Sequence, residues 1–123
     1  MQTVTLKNGL RVLLAPSTGS DTVTVLVLVQ VGSRYEYKKL NGASHFIEHL
    51  LFKGTKRRPT AQHISRALDA MGARFNAYTN KHVTGYYVKV DRKALDLSLD
   101  ILSDMVFSSK FDPKELHRER TVV

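Results

Sequence analysis

The sequence predicts an α+β fold, in which a mainly antiparallel sheet has helices packed on one face. Several segments alternate polar and apolar residues as half-buried strands do, and others place apolar residues three and four apart as amphipathic helices do. The 123 residues, 42% hydrophobic and 24% charged, are typical of one soluble domain. No linker, repeat or low-complexity tract divides the chain, so we expect residues 1–123 to belong to a single domain.

Two short alternating segments at the start predict a hairpin. Their apolar residues share one face if residues 7–9 form a three-residue turn with Gly9 in the left-handed position. These residues are Val4, Leu6, Leu10, Val12 and Leu14. After a polar break over 16–21, every odd position over 23–31 is valine, with Leu26 and Leu28 on the opposite face, which predicts a central strand covered on both sides.

Apolar spacing predicts two helices in the middle of the chain. The first covers 41–52, and the second begins at an N-cap, Thr60, and closes at Gly72. A basic loop lies between the two helices.

The next two alternating segments predict a second hairpin. Residues 74–79 and 82–91 flank a tight link at Asn80-Lys81, and Gly85 is predicted to mark a bulge. One face of the second strand is apolar and is expected in the core: Tyr86, Val88 and Val90.

Two further helices complete the predicted order. The first covers 92–107, with its apolar stripe on Leu95, Leu99, Leu102 and Val106. Asp112, Pro113 and Glu115 then have the residue types of an N-cap, a first helical position and a capping-box partner. This last helix reaches Val123 without a closing residue, so we expect a domain that is truncated at its C-terminus.

Composition restricts the possible functions. Nineteen Lys and Arg against eleven Asp and Glu give a net charge of +8, which attracts nucleic acid, anionic membranes or acidic partners without selecting one. Cysteine is absent, which excludes disulfides and thiolate metal sites and leads us to expect a cytoplasmic location. The longest apolar stretch is far shorter than the roughly 20 residues of a membrane helix, and the alternating start is unlike a secretory signal, so no membrane association is expected.

The chemistry is concentrated in the predicted helix over 41–52. His45 and His49 are four residues apart and Glu48 lies between them, which places all three side chains within about 100° of the helix circumference. Two imidazoles one turn apart can bind a single Zn²⁺, which lowers the pKa of a bound water toward about 7. Glu48 is then free to take the proton as a general base during attack on a peptide carbonyl.

An amphipathic helix with His and Glu on its wet side is the alternative interpretation of this motif. At this composition we estimate a chance below about 1% that H-x-x-E-H arises anywhere in the chain. A catalytic zinc has three protein ligands and an open position, so two histidines leave one ligand to be identified.

The sequence around this motif resembles the zinc helix of the pitrilysin, insulysin and processing-peptidase family of zinc metallopeptidases (M16 type, with the inverted zinc motif). The resemblance spans nearly the whole chain, keeps the family's order and covers the first part of its first domain. The segments that carry it are 42–55, 8–12, 31–34, 76–79 and 119–123.

The resemblance implies an N-terminal peptidase domain over 1–123 and a role for several residues outside the motif. Glu119 matches a glutamate that supports the metal site from nearby, and the third zinc ligand is implied to lie about two helical turns further on, past Val123. The isolated chain is therefore expected to be inactive. A second, similar half or a partner subunit is implied to supply an Arg and a Tyr that hold the substrate carbonyl, and a homo-oligomer is a further possibility.

The resemblance also implies a place for the substrate. Asn76, Ala77, Tyr78 and Thr79 match the edge strand with which a peptide or unfolded polypeptide pairs, although on sequence alone a solvated strand edge is equally compatible. His63, His82 and His117 have no ligand partner at helical spacing, and we predict structural or surface roles for them.

Two alternatives to an endopeptidase stay open at this point. One is a non-catalytic scaffold or substrate-capture subunit of the same family, against which the intact His45-Glu48-His49 set argues. The other is a basic nucleic-acid-binding module, which the lack of any aromatic platform disfavours. The residues that would form its phosphate-binding patch are instead predicted to be a solvated loop: Lys53, Lys56, Arg57 and Arg58.

Overall fold

A computed structural model describes residues 1–16 and 18–122. Ser17, in the predicted polar break, and Val123, at the end of the predicted last helix, lie outside the described residues. The chain forms an α+β fold, as predicted, with five strands and four α-helices in its described part. They are β1 (Gln2–Thr5), β2 (Arg11–Leu14), β3 (Thr22–Val29), α1 (Ala43–Leu51), α2 (Ala61–Asp69), β4 (Arg74–Thr79), β5 (Thr84–Asp91), α3 (Leu95–Ser108) and α4 (Pro113–Glu119).

The strands form two antiparallel sheets. β1 and β2 pair only with each other among the described residues, whereas β3, β5 and β4 form a three-stranded sheet in that order. The prediction that β3 is a central strand covered on both sides is therefore wrong. β5 is central, and β3 lies at an edge with Leu26 47% and Leu28 56% exposed on the face away from the helices.

A backbone hydrogen bond closes each of the two hairpin turns. In the first, Leu6 N–H donates to Leu10 O at 2.8 Å and Gly9 has φ 87°, which confirms the predicted three-residue turn. In the second, Asn80 N–H donates to Val83 O at 3.0 Å, so the tight link is one residue later than predicted.

The bulge predicted at Gly85 is not formed, because the pairing continues through it on both sides. Gly85 lies opposite Leu28 of β3 and opposite Tyr78 of β4. The ring of Tyr78 covers it so closely that a Cβ atom there would lie 2.5 Å from the ring. Gly85 therefore leaves room for the Tyr78 ring of the neighbouring strand to lie against its backbone.

One hydrophobic core lies between the helices and the inner face of this sheet. It confirms the predicted burial of Tyr86, Val88 and Val90. The other buried members are Leu51, Ile64, Leu68, Ile101, Leu102 and Met105. None of the helices in residues 1–16 and 18–122 is long and apolar enough to cross a membrane.

The stripe predicted for α3 is wrong in part. Leu102 is buried, but Leu99 is exposed, and Ile101 and Met105 occupy the inner face instead. Two polar residues also lie on that face, Ser98 and Asp104, and they obscured its position in the sequence. Each is hydrogen-bonded, as a buried polar group requires.

Ion pairs join the loop after α1 to α3. The prediction of a solvated loop is confirmed for Lys56 and Arg57, which are exposed, and is wrong for Arg58, whose side chain is 13% exposed. Arg57 makes two hydrogen bonds to the Asp100 carboxylate, at 2.7 and 2.8 Å. Arg58 bonds both Asp100 and Asp104 at 2.7 Å. The buried Thr55 hydroxyl donates to Asp104 at 2.7 Å and accepts the Arg58 backbone N–H at 2.8 Å.

The predicted signals are confirmed at both ends of α2 and at the start of α4, whereas α4 ends at Glu119 and does not continue through Val122 as predicted. The Thr60 side chain accepts the N–H of His63 at the start of α2, and Gly72, with φ 62°, closes that helix. At α4, Asp112 accepts the N–H of Lys114, and Pro113 is the first helical residue.

We predict that Asp100 contributes to stability only above strongly acidic pH. Hydrogen bonds from Arg57, then Arg58, lower its pKa from 3.8 to about 2. A carboxylate with a lowered folded-state pKa stabilises the fold above its unfolded value, and this contribution is lost as the pH falls from 3.8 toward about 2. Urea unfolding at stepped pH should therefore show a decline in this window that Asp100→Asn flattens. The exposed Asp96→Asn on the same helix is the control, and an identical profile in Asp100→Asn would contradict the assignment.

Candidate metal centre

The helix α1 begins without a side-chain cap of its own. Gly42 precedes it with φ 90° and offers no polar side chain. Glu36 takes this role from outside the helix, because its two carboxylate oxygens accept the N–H groups of Gly42 and Ser44, each at 2.7 Å. The Ser44 hydrogen bonds, then that of Gly42, keep the pKa of Glu36 below its ordinary value.

The two histidines of α1 converge at their outer ring nitrogens. His45 Nε2 and His49 Nε2 lie 3.1 Å apart, with the ring planes at 90° and the centroids at 4.6 Å. His45 is exposed and His49 is partly buried, so the nitrogens meet at the surface of the helix rather than in the core. This is the convergence expected from the spacing of the motif.

Glu119 fixes the orientation of the second imidazole. Its Oε2 lies 3.1 Å from His49 Nδ1, although 70 residues separate the two in sequence. A carboxylate only accepts hydrogen bonds, so Nδ1 carries a proton, and in the neutral imidazole Nε2 then keeps its lone pair. Glu119 thus lies against the motif.

Lys53 is the partner of this carboxylate that sequence reasoning missed. Glu119 is 3% exposed, and Lys53 Nζ lies 2.5 Å from its Oε1. The hydrogen bond from Lys53 holds the pKa of Glu119 below its ordinary value, although burial acts to raise it. The sequence places Lys53 in a basic loop, and no local pattern links it to a glutamate 66 positions later.

One oxygen of the Glu48 carboxylate faces the sheet. Its Oε2 accepts a short hydrogen bond from the Thr79 hydroxyl at the end of β4. The buried Tyr86 lies close by: burial first, and the Glu48 charge second, raise the pKa of Tyr86 to about 12. Glu48 is therefore a carboxylate beside the histidine pair with one oxygen already occupied.

The donor set fits a zinc ion. Two nitrogens each about 2.0 to 2.1 Å from a tetrahedral zinc are separated by roughly 3.3 Å, close to the 3.1 Å observed between His45 and His49. The proton on His49 Nδ1 leaves its Nε2 free to bind metal, which is how carboxylate–histidine pairs act in zinc sites. Within residues 1–16 and 18–122 no group of three or more His, Cys, Asp or Glu could hold a metal ion, so the described residues offer at most the two imidazole nitrogens as ligands at this point.

The strand beside the motif has an open edge. β4 pairs with β5 on one side and with no other described strand. Asn76 and Tyr78 are exposed, whereas Ala77 and Thr79 are partly buried on the helix side. The Asn76 side chain accepts the backbone N–H of Ala77 at 2.9 Å. The outer edge of β4 is thus unpaired among the described strands, and the Asn76 side chain covers one of its donors, the N–H of Ala77.

A small cleft joins this strand to the motif. Its volume is about 280 Å³. Its lining combines the polar end of α1 with two aromatic rings, those of Phe52 and Phe75, whose centroids are 6.4 Å apart. The lining residues are Glu48, His49, Phe52, Lys53, Phe75 and Asn76.

The three remaining histidines are all exposed. They are His63, His82 and His117. His63 Nδ1 lies 2.7 Å from the hydroxyl of Thr60 at the start of α2, and it is part of that helix cap. The surface placement of all three agrees with the prediction.

Comparison with known proteins gives the relatives of the chain. Mitochondrial-processing peptidase subunit beta of Caenorhabditis elegans is 44% identical over 97% of this chain and 26% of the relative. The uncharacterized zinc protease YmxG of Bacillus subtilis is 41% identical over 97% and 29%. Cytochrome b-c1 complex subunit 1 of Bos taurus is 41% identical over 96% and 24%. The chain therefore spans between about a quarter and three tenths of the length of these proteins.

A solved protease structure has the same fold. The crystal structure of a protease from Helicobacter pylori superposes with a TM-score of 0.88 at 34% identity, over 98% of this chain and 29% of that one. The profile of the family described as Insulinase (Peptidase family M16) matches residues 11–123. The chain belongs to this peptidase family.

Proposed function

We propose that the full-length protein is a zinc-dependent endopeptidase, with His45 and His49 as metal ligands and Glu48 as general base. The observation that carries the proposal is the meeting of two Nε2 atoms 3.1 Å apart beside a carboxylate. Membership of a peptidase family and similarity to a relative named as a zinc protease support it.

Each residue has a separate task in this proposal. Zinc, when bound, would act as a Lewis acid and lower the pKa of water. His45 and His49 hold the ion, and Glu119 holds His49 in the tautomer that binds it. The third protein ligand is proposed to come from the sequence about two turns beyond Glu119, as the family resemblance implies.

Glu48 moves the proton. Thr79 occupies its Oε2, so Oε1 is the oxygen that takes a proton from the attacking water. The same oxygen then delivers the proton to the nitrogen of the leaving amine, which returns the carboxylate to its starting form.

The peptide is proposed to bind along β4 as an added strand. The main chain over 76–79 would hydrogen-bond to the extended substrate, while substrate side chains alternate between the cleft and the solvent. Asn76 must first release the N–H of Ala77. Such pairing favours short or unfolded peptides over folded proteins. A second, similar half or a partner subunit would complete the carbonyl-binding groups.

The nucleic-acid alternative is disfavoured by the ion pairs of the basic loop. Arg57, Arg58 and Lys53 each contact an aspartate or glutamate of this chain, so their charge is already compensated. A non-catalytic subunit would carry the same fold, and the experiment below separates it from a peptidase.

The first prediction from this proposed function concerns the base and the metal. Full-length protein should cleave an unstructured fluorogenic peptide and lose this activity to a chelator. Glu48→Gln should lower kcat by at least about 100-fold while zinc content, measured by mass spectrometry, is unchanged. Glu115→Gln on α4, outside the site, is the matched control. Full activity in Glu48→Gln would refute the assigned base, and no activity in the parent would favour the non-catalytic subunit.

A second prediction concerns the 123-residue chain alone. Its described residues supply two of the three protein ligands of a catalytic zinc, so we expect no peptide cleavage and weak zinc binding. The measurement is a peptide assay with calorimetric zinc titration. Chelator-sensitive cleavage by this segment would contradict the proposed origin of the third ligand.

The third prediction concerns Lys53. Lys53→Met removes the cation that holds Glu119, and the loosened carboxylate should lower zinc affinity by about tenfold. Competition with a chromogenic chelator measures this in the full-length protein. Lys56→Met, an exposed position in the same loop, removes the same charge and should leave the affinity unchanged. Equal affinities in the two variants would show that Lys53 does not support the site.

A further inference from the structure

Thr79 stands where the predicted substrate edge and the predicted base meet. It is the last residue of β4 and is paired with Thr84 of β5. Its side chain is on the partly buried face toward α1, where the hydroxyl hydrogen-bonds to Glu48 Oε2. One residue therefore belongs both to the strand edge and to the surroundings of the carboxylate.

The direction of this hydrogen bond follows from the neighbouring groups. A carboxylate only accepts, so Thr79 must donate its proton to Glu48. Thr84 Oγ1 lies 3.3 Å from Thr79 Oγ1 and donates to the carbonyl oxygen of Val31 at 3.1 Å. Both hydroxyl protons are then used, so Thr84, which is almost fully buried, lies in contact with the Thr79 oxygen without donating to it. The Glu48 carboxylate is thus held by Thr79 alone, and Thr84 packs beside that hydroxyl.

The main chain of Thr79 points the other way. Hydrogen-bonded and non-hydrogen-bonded pairs alternate along an antiparallel ladder. Asn80 and Val83 form a hydrogen-bonded pair at 3.0 Å, so the next pair, Thr79 with Thr84, is of the other kind. The N–H and C=O of Thr79 therefore face the open edge, where an added peptide strand would bond to them.

We propose that Thr79 is a positioning residue for Glu48, in addition to its place in the edge strand. This rests on the function proposed above. The hydroxyl holds Oε2 and so turns Oε1 toward the reacting water, while the outward main chain of the same residue sets the register of the peptide. A single residue then sets the distance between the scissile bond and the base. Proximity effects in catalysis require this type of placement.

The test uses the zinc-loaded full-length protein. Thr79→Val is isosteric and removes the hydroxyl that donates to Glu48 and contacts Thr84, so we expect kcat to fall about tenfold with KM changed less than about twofold. Zinc content and melting temperature should equal those of the parent. Thr79→Ser keeps the hydroxyl and should recover kcat to within about threefold. Thr24→Val, an exposed threonine of β3, is the matched control and should retain parental kcat.

The outcomes separate this proposal from the one on which it rests. Parental kcat in Thr79→Val, with Glu48→Gln inactive, would overturn the role of Thr79 and leave the base intact. Activity in Glu48→Gln would overturn the proposed function itself. Equal loss in the Ser and Val variants, or a rise in KM alone, would assign Thr79 to peptide binding only. If Thr79→Val does not fold, Thr79→Ala removes the same hydroxyl without adding volume, and the same fall in kcat is expected.

Discussion

A carboxylate sealed from water needs hydrogen-bond donors or positive charge around it, and this constraint organises the site. Glu119 is buried at the end of α4 and finds its donors, His49 and Lys53, at the end of α1. The contact joins two helices that are far apart in sequence. The tautomer of His49, and with it the direction of its lone pair, is therefore set by the tertiary fold and not by the helix that carries the motif.

The rest of α1 is held from both ends in a similar way. Glu36 caps its first turn from a preceding loop, and Thr55 ties the loop after it to the buried Asp104 of α3. Leu50 and Leu51 anchor the inner face in the core. A short helix in isolation is marginally stable, so these contacts, more than intrinsic propensity, keep the imidazoles in place. Preorganisation of this kind is what a metal site requires of its surroundings.

The sequence was sufficient for the features that depend on local spacing. Alternation located both hairpins, caps located both ends of α2 and the start of α4, and the i, i+4 spacing placed His45 and His49 together. The sequence was insufficient for features that depend on residues far apart in the chain. The valine pattern of β3 would be the same in an edge strand as in a central strand. The cations at 57 and 58 pair with Asp100 and Asp104, and these partners are distant in sequence. Glu36 and Lys53 act across loops, so no periodicity could have shown their partners.

The edge position of β3 has a consequence for handling this segment. Within the described residues its outer side is unpaired, and Leu26 and Leu28 protrude beside it. An unprotected, apolar strand edge is a template on which identical strands from other molecules stack. The segment produced alone therefore carries an intrinsic route to aggregation, and a charged substitution at either leucine is the simplest way to block it.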